Sequence, residues 1–198
     1  GSHVRWAPYF RPGDDLPGFV LHLVKLQGGS WHHHPVSLPE GPFDCESGVP
    51  EISWAPSGRF AGVQLFSRDR QRRSLVVLEV GGAVRVVHEE VAGPEWKFID
   101  ATGVKRWVQW LDEGALFVSE EDGWAHLYAC DLTGARVQLT AGEWCVREVH
   151  RVGSKVWFSC GGIHPGQDPY HRHLATVDLP AWLGGGATTE AAVEEASL

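Results

Sequence analysis

The sequence predicts an all-β fold: a β-propeller segment of about three to four blades, each a four-stranded antiparallel sheet. A six-residue apolar pattern, with Leu first and a charged residue fifth, occurs four times and starts at Leu21, Leu75, Leu127 and Leu174. The spacing of about 50 residues is typical of propeller repeats. No run of ten or more residues carries a helical period, which makes helix-containing repeats the weaker interpretation.

The clearest repeat unit covers residues 119–144. It reads as a strand end, a polar turn at Gly123, an apolar strand, a second turn at Gly134 and a short outer strand. Both glycines are predicted to adopt positive φ. Two further strands joined by a tight turn precede the unit, and the same arrangement occurs at residues 52–65. This succession of antiparallel hairpins predicts four strands per repeat.

The repeats divide the chain into three parts. Residues 1–3 are interpreted as the remnant of an expression tag, residues 4–180 as a partial β-propeller domain, and residues 181–198 as a disordered tail rich in Gly, Ala, Thr and Glu. Within the domain, three blades are predicted at residues 52–90, 108–140 and 146–179. Part of another blade is predicted from residue 19 onward.

Charge excludes some functions. A net charge of −8 and a pI of about 5.7 argue against nucleic acid as a partner. A short basic run is predicted to be a solvated hairpin tip rather than a phosphate site, and it contains Arg68, Arg70, Arg72 and Arg73. No apolar run is long enough to span a membrane, and no signal peptide precedes the domain. The missing signal does not decide the cellular compartment, although the cytoplasm is slightly favoured.

Thiols and imidazoles are predicted to be structural. No pair has C-x-x-C spacing, which favours buried free thiols over a disulfide at Cys45, Cys130, Cys145 and Cys160. The histidines lack a recognised metal-ligand spacing, so surface or strand-packing roles are favoured for His22, His32, His33, His34, His164, His171 and His173. We therefore expect no metal and no cofactor.

Aromatic residues fall into two groups. One group recurs at corresponding places in the blades and is predicted to fill the space between neighbouring sheets: Trp54, Trp110, Trp124, Trp144 and Trp157. The other group lies in a linker between blades, where propellers present binding groups. Its members, Trp96 and Phe98 with Lys97 between them, are the candidate binding-loop residues.

Several spaced motifs indicate a family. Residues 119–128 read Ser-Glu-Glu-Asp-Gly-Trp-Ala-His-Leu-Tyr, residues 138–146 contain Gln-Leu-Thr-x-Gly-Glu-Trp-x-Val, and residues 171–174 read His-Arg-His-Leu. Together with Pro-Gly-Asp at residues 12–14, these motifs resemble the N-terminal β-propeller of the dipeptidyl peptidase IV family of serine peptidases. The resemblance covers residues 9–179. It implies a segment of an eight-bladed propeller that caps an α/β-hydrolase domain and restricts which peptides reach the active site.

The resemblance also implies a reaction, the removal of dipeptides with Pro or Ala in second position from peptide N-termini. This sequence contains no Gly-x-Ser-x-Gly nucleophile elbow. The family's two adjacent amine-binding glutamates lie before the matched region, and neither Glu89-Glu90 nor Glu120-Glu121 has their context. No catalytic residue is therefore assigned, and the chain alone is not expected to be an enzyme.

The leading hypothesis is the non-catalytic propeller portion of a dipeptidyl-peptidase-IV-like serine peptidase, which gates and positions peptide substrates. The alternative is a stand-alone protein-interaction module without peptidase activity. Peptides are expected as partners only together with a hydrolase domain. A propeller segment exposes blade faces that would pack on neighbours in a closed ring, so a homodimer through these open edges is a further expectation.

Overall fold

The computed structural model describes residues 19–39, 51–94 and 107–184, and the backbone of residues 194 and 195. In chain order the strands are β1 Leu21–Gln27, β2 Ser30–Val36, β3 Glu51–Trp54, β4 Phe60–Phe66, β5 Arg72–Glu79, β6 Val84–Val91, β7 Val108–Leu111, β8 Gly114–Ser119, β9 His126–Asp131, β10 Arg136–Gln138, β11 Cys145–Val152, β12 Lys155–Gly161, β13 Arg172–Asp178 and β14 Glu194–Glu195. A 3-10 turn follows β13 at Ala181–Leu183. The described part of the chain contains no helix that is long and apolar enough to cross a membrane.

The strands form one hairpin and three four-stranded sheets. Strands β1 and β2 pair with each other, and the sheets have the orders β3-β4-β5-β6, β7-β8-β9-β10 and β11-β12-β13-β14. Every neighbouring pair is antiparallel and consecutive in the chain. We call these sheets the first, second and third full blades. The predicted all-β propeller segment, with three full blades and part of another, is confirmed.

Burial follows from the packing of sheet on sheet. Every residue of β8 is buried, because both faces of the second blade are covered. In β12 burial alternates instead: Val156, Phe158 and Cys160 are buried and the residues between them are only half-buried. One face of the third blade therefore packs on the second blade, while the other face meets no described sheet.

Among the described residues, three apolar clusters fill the spaces between the sheets. The first includes Val63, Leu65 and Val76 of the first blade with partly buried residues of the hairpin. The second joins the first and second blades through residues that include Phe60, Leu75, Val77, Trp110 and Phe117. The third joins the second and third blades through residues that include Leu127, Trp144, Val146, Phe158 and Val177.

The repeat leucines occupy the predicted strands, but their burial differs. Leu75 and Leu127 are fully buried in the clusters that face the next blade. Leu21 is half-buried against the first blade. Leu174 holds the same place in its blade but is 38% exposed, so this repeat position is not buried in every blade. Its face of the third blade is the one that meets no described sheet.

The predicted tryptophan core is only partly correct. Trp110 and Trp144 are buried, and Trp157 is half-buried. Trp54 is 54% exposed, and the described part of the sheet beside it consists of the two strands of the hairpin. Trp124 is 41% exposed because it lies in the turn before β9 rather than in a strand. The prediction of core packing is therefore wrong for these two residues.

The predicted tail from residue 181 is described at only two places. The 3-10 turn at Ala181–Leu183 buries Leu183 in the cluster that also contains Leu179. The short β14 pairs with β13. Apart from Gly184, which ends the 3-10 turn, the other residues of the tail lie outside the described residues.

Candidate functional site

The antiparallel order of each blade gives it two different ends. One end carries the connections between second and third strands, at residues 67–71, 120–125 and 162–171, and we call it the loop face. The opposite end, the turn face, carries the remaining tight turns within blades. Each blade also begins and ends at the loop face, because its first strand starts there and its fourth strand finishes there.

Contacts between the first and second blades show that the turn face of one blade lies beside the turn face of the next. At the turn face, the Ser57 backbone N–H donates to Asp112 Oδ1 at 2.7 Å, and Arg59 forms a 3.0 Å ion pair with Glu113. The hydrogen bonds from Ser57 hold the pKa of Asp112 below its usual value. Arg85 donates to the Leu132 carbonyl at 3.0 Å across the same interface. The loops of adjacent blades therefore share one face.

One local device recurs in all three connections of the loop face. An aspartate side chain accepts a hydrogen bond from the backbone N–H two residues later: Asp69 from Gln71 at 3.1 Å, Asp122 from Trp124 at 3.1 Å and Asp168 from Tyr170 at 2.9 Å. Such Asx turns fix a loop backbone without help from a neighbouring strand.

Two of these loops present aromatic side chains to solvent. Tyr170 is 88% exposed, and Trp124 is also exposed. The second oxygen of Asp122 accepts from Gln138 Nε2 at 2.6 Å, which ties the Trp124 loop to strand β10. Exposed aromatic rings on anchored loops offer contact area at a small cost in conformational entropy. The loop face therefore has the features of a binding surface.

A buried polar cluster lies at the same end of the first and second blades, centred on Arg73. Its guanidinium donates to Gln64 Oε1 at 2.8 Å and to the Val118 carbonyl of the second blade. Arg73 Nη1 lies 3.6 Å from Glu90 Oε2, and both side chains are buried. The guanidinium carbon is 5.6 Å from the centre of the Phe117 ring. Arg73 thus joins two blades directly below the loop face.

Glu90 is the acidic partner in this cluster. His88 Nε2 lies 3.9 Å from Glu90 Oε2, too far for a hydrogen bond, and the His88 ring packs 4.5 Å from that of Phe117. Burial alone would raise the pKa of Glu90, but His88, Arg73 and Ser119 outweigh it, so the pKa lies below its ordinary value of 4.5. Glu90 is therefore a buried, ionised carboxylate at neutral pH.

This lowered pKa predicts an acid-sensitive stability. The contribution of Glu90 is fully present above 4.5, the value it has when unfolded, and is lost as the pH falls through the lower folded value. We expect the difference in urea midpoint between wild type and Glu90→Gln to be constant from pH 7 to about pH 5 and to change below that, as the stabilisation from Glu90 is lost. The Glu90→Gln variant should show a smaller decrease over the acidic interval. An equal decrease in both proteins would contradict the assignment.

A second buried polar group, His126, fixes the start of β9. Its Nε2 lies 2.9 Å from the Gly142 carbonyl oxygen and its Nδ1 lies 3.0 Å from Thr140 Oγ1. A carbonyl can only accept, so Nε2 carries the proton. The Leu127 N–H donates to Thr140 Oγ1, which leaves the hydroxyl proton for Nδ1. His126 is thus a satisfied structural histidine that anchors the connection to the third blade.

Comparison with known proteins identifies the family. The family model for the dipeptidyl peptidase IV N-terminal region matches residues 2–191. The chain belongs to this family. A structural match is the crystal structure of Porphyromonas gingivalis dipeptidyl peptidase 4, with a TM-score of 0.68 and 19% sequence identity, over 90% of this chain and 23% of that one. No curated protein sequence matches the chain. The chain therefore spans less than a quarter of the length of its structural neighbour.

Within this dipeptidyl peptidase IV N-terminal segment, the predicted binding-loop residues remain untested. Trp96, Lys97 and Phe98 lie outside the described residues, as does Cys45. Cys130 and Cys160 are buried free thiols as predicted, and Cys145 is a half-buried free thiol. Burial raises the pKa of Cys130 to about 12, so this thiol is unreactive at neutral pH.

The histidines and the basic run give a mixed outcome. His22, His32, His33 and His34 are exposed on the hairpin, while His164 and His173 stack edge to face at 4.6 Å. The described residues contain no group of three metal-ligating side chains. The solvated-tip prediction is wrong for Arg73, because its partner Glu90 in the neighbouring strand makes burial of the guanidinium favourable.

Proposed function

We propose that this dipeptidyl peptidase IV N-terminal segment is a non-catalytic propeller portion of a serine peptidase, and that its loop face gates and positions peptide substrates. The family match is the observation that carries the proposal. Topology supports the choice of face: each blade begins and ends at the loop face, so a domain joined to a propeller through its first or last blade is joined there. The anchored Trp124 and Tyr170 would then line the route of the peptide.

The test compares the two faces in the full-length peptidase that contains this segment. We expect the Trp124→Ala/Tyr170→Ala double variant to change the ratio of kcat/KM for a long peptide to that for a dipeptide chromogenic substrate by several-fold. The matched control is the Arg59→Ala/Glu113→Ala double variant on the turn face, which should leave the ratio unchanged. Equal ratios in wild type and both variants would overturn the gating role.

The isolated chain provides a second prediction. Since these 198 residues contain no nucleophile elbow, we expect no hydrolysis of Gly-Pro or Ala-Pro chromogenic substrates. A fluorophosphonate probe should label no serine. Turnover together with a labelled serine would show that the segment is itself catalytic.

We also propose that two copies of the isolated chain associate through their open blade faces. The outward face of the hairpin exposes Val24, Leu26 and Trp31, and the third blade exposes Leu174 on its far side. In a closed propeller such faces pack on neighbouring blades, and a second copy offers the complementary flank. The two ends of the segment would then meet in a ring.

Sedimentation equilibrium tests this association across a concentration series. We expect a species of twice the 21.8 kDa chain mass at high concentration, and mainly monomer for the Trp31→Glu variant. His32→Glu, on the opposite face of the same strand, is the matched control and should associate like wild type. A single 21.8 kDa species at high concentration would refute the dimer.

A further inference from the structure

A depression lies at the loop-face end of the third blade, and we call it the end pocket. It is lined by Arg147, Glu148, Gly161, Pro169, Tyr170 and Arg172. These residues come from the start of β11, the end of β12, the start of β13 and the connection between β12 and β13. The volume of about 270 Å³ is just below the roughly 300–1,000 Å³ of pockets that hold drug-sized molecules. The end pocket therefore suits one side chain or a chain end rather than a longer segment.

A β-bulge in β11 brings two charged side chains to the end pocket. The register of β11 with β12 shifts between Val146 and Glu148, which makes Arg147 the extra residue. Val146 and Val149 are buried, while both residues between them are exposed. In a regular strand one of these two side chains would point into the core, because successive residues alternate between the faces of a sheet. The bulge thus places Arg147 and Glu148 together on the open side of the strand.

The connection between β12 and β13 forms the other wall of the end pocket. A methyl group on Gly161 would lie 2.6 Å from the Pro169 carbonyl oxygen, so glycine lets the connection lie close to the end of β12. The Asx turn of Asp168 then fixes the backbone at Tyr170. The position of the exposed phenol ring beside the pocket is therefore set by the backbone, before any ligand binds.

The end pocket carries a local positive charge in an acidic protein. Arg172 Nη1 forms a 2.7 Å ion pair with Glu148 Oε1, and both side chains are more than half exposed. This pair uses one guanidinium nitrogen, so other N–H groups of Arg172 can meet a second acceptor. The Arg147 guanidinium has no hydrogen bond or ion pair with the described residues. Two guanidiniums and one carboxylate give the pocket a net charge of +1, whereas the chain carries −8.

We propose that the end pocket binds one carboxylate of a peptide, with the Arg147 guanidinium as its main donor and the Tyr170 ring against the residue that carries it. A guanidinium and a carboxylate form two parallel hydrogen bonds, a geometry that contributes specificity as well as energy. The carboxylate belongs to an acidic side chain or to a free C-terminus, since both present the same group. Because the pocket lies on the loop face, such a peptide would be a substrate of the parent peptidase, and this step alone rests on the proposed function.

A ligand-observed NMR titration of the isolated chain, at low protein concentration, tests the binding. Three tetrapeptides are compared: a fully blocked one with a central glutamate, the same peptide with glutamine in its place, and the glutamine peptide with a free C-terminus. We expect at least one carboxylate peptide to bind about fivefold or more tightly than the blocked glutamine peptide. The tighter of the two identifies the source of the carboxylate. The preference should decrease with added salt, because the pocket is open to solvent.

Two pairs of variants assign this preference to the end pocket. Arg147→Gln should abolish it, whereas Arg85→Gln removes the same charge on the turn face and should retain it. Glu148→Gln should strengthen binding of the carboxylate peptide about twofold or more, because it removes the anion that competes for Arg172. Glu113→Gln, on the turn face, is the control with the same change in charge. All four substituted side chains are exposed, so the variants should fold like wild type.

The outcomes separate a local site from a general effect of charge. A carboxylate preference that Arg147→Gln abolishes and Arg85→Gln retains supports the proposal. Equal binding of the three peptides to wild type overturns it, as does a preference that both arginine variants keep or both lose. Binding to the isolated chain needs no peptidase activity, so this result and the kcat/KM ratio that tests gating can fail independently.

Discussion

The Arg73→Met variant is expected to be less stable than wild type by roughly 3–5 kcal/mol, the usual effect of removing one partner of a buried ion pair. Met retains much of the apolar length of Arg but removes the guanidinium. The Glu90 carboxylate then stays buried without its counter-charge, and Gln64 and the Val118 carbonyl lose a donor. Equilibrium urea unfolding measures the difference in the free energy of unfolding.

The matched control for this variant is Arg59→Met. Arg59 also bridges the first and second blades, through a 3.0 Å ion pair with Glu113, but both side chains are more than half exposed. Exposed pairs contribute roughly 0–1 kcal/mol, so the control should cost no more than that. If the two variants were equally stable, the buried cluster would not be what holds the blades together below the loop face.

A double variant separates the ion pair from the other contacts of Arg73. Removing both charges, as in Arg73→Met/Glu90→Gln, leaves no uncompensated ion in the interface. We therefore expect this protein to be more stable than Arg73→Met alone, although it carries one more substitution. Such non-additivity would show that most of the stability lost in Arg73→Met comes from the Glu90 carboxylate left without a counter-charge.

The blades were predictable from the sequence because their signals are local. Alternating apolar residues fix which face of a strand is buried, and Gly123 and Gly134 mark turns that need positive φ. The turns and strands follow each other within short stretches of chain. Sequence reasoning could therefore assign the sheets without knowing which sheets are neighbours.

The buried cluster was not predictable in the same way. Arg73 stands in a run of arginines that reads as a solvated tip, and its burial depends on Glu90 and on the Val118 carbonyl of another blade. The loop face did carry a local signal, since Asp122 and Asp168 each stand two residues before an exposed aromatic. Asx turns of this kind are visible in a sequence once the loops are known.

Leu127→Ala is expected to cost roughly 2–5 kcal/mol, as large-to-small changes in packed cores do. Leu127 is fully buried between the second and third blades. Its closely packed neighbours can move little, so the cavity left by the substitution stays largely open. Leu174→Ala is the matched control, because Leu174 holds the same repeat position on a face that meets no described sheet. It should cost no more than about 1 kcal/mol. Urea unfolding at low protein concentration, where association does not contribute, compares the two variants. Equal losses would mean that Leu174 is as enclosed as Leu127, and hence that the third blade has a packed neighbour in the isolated chain.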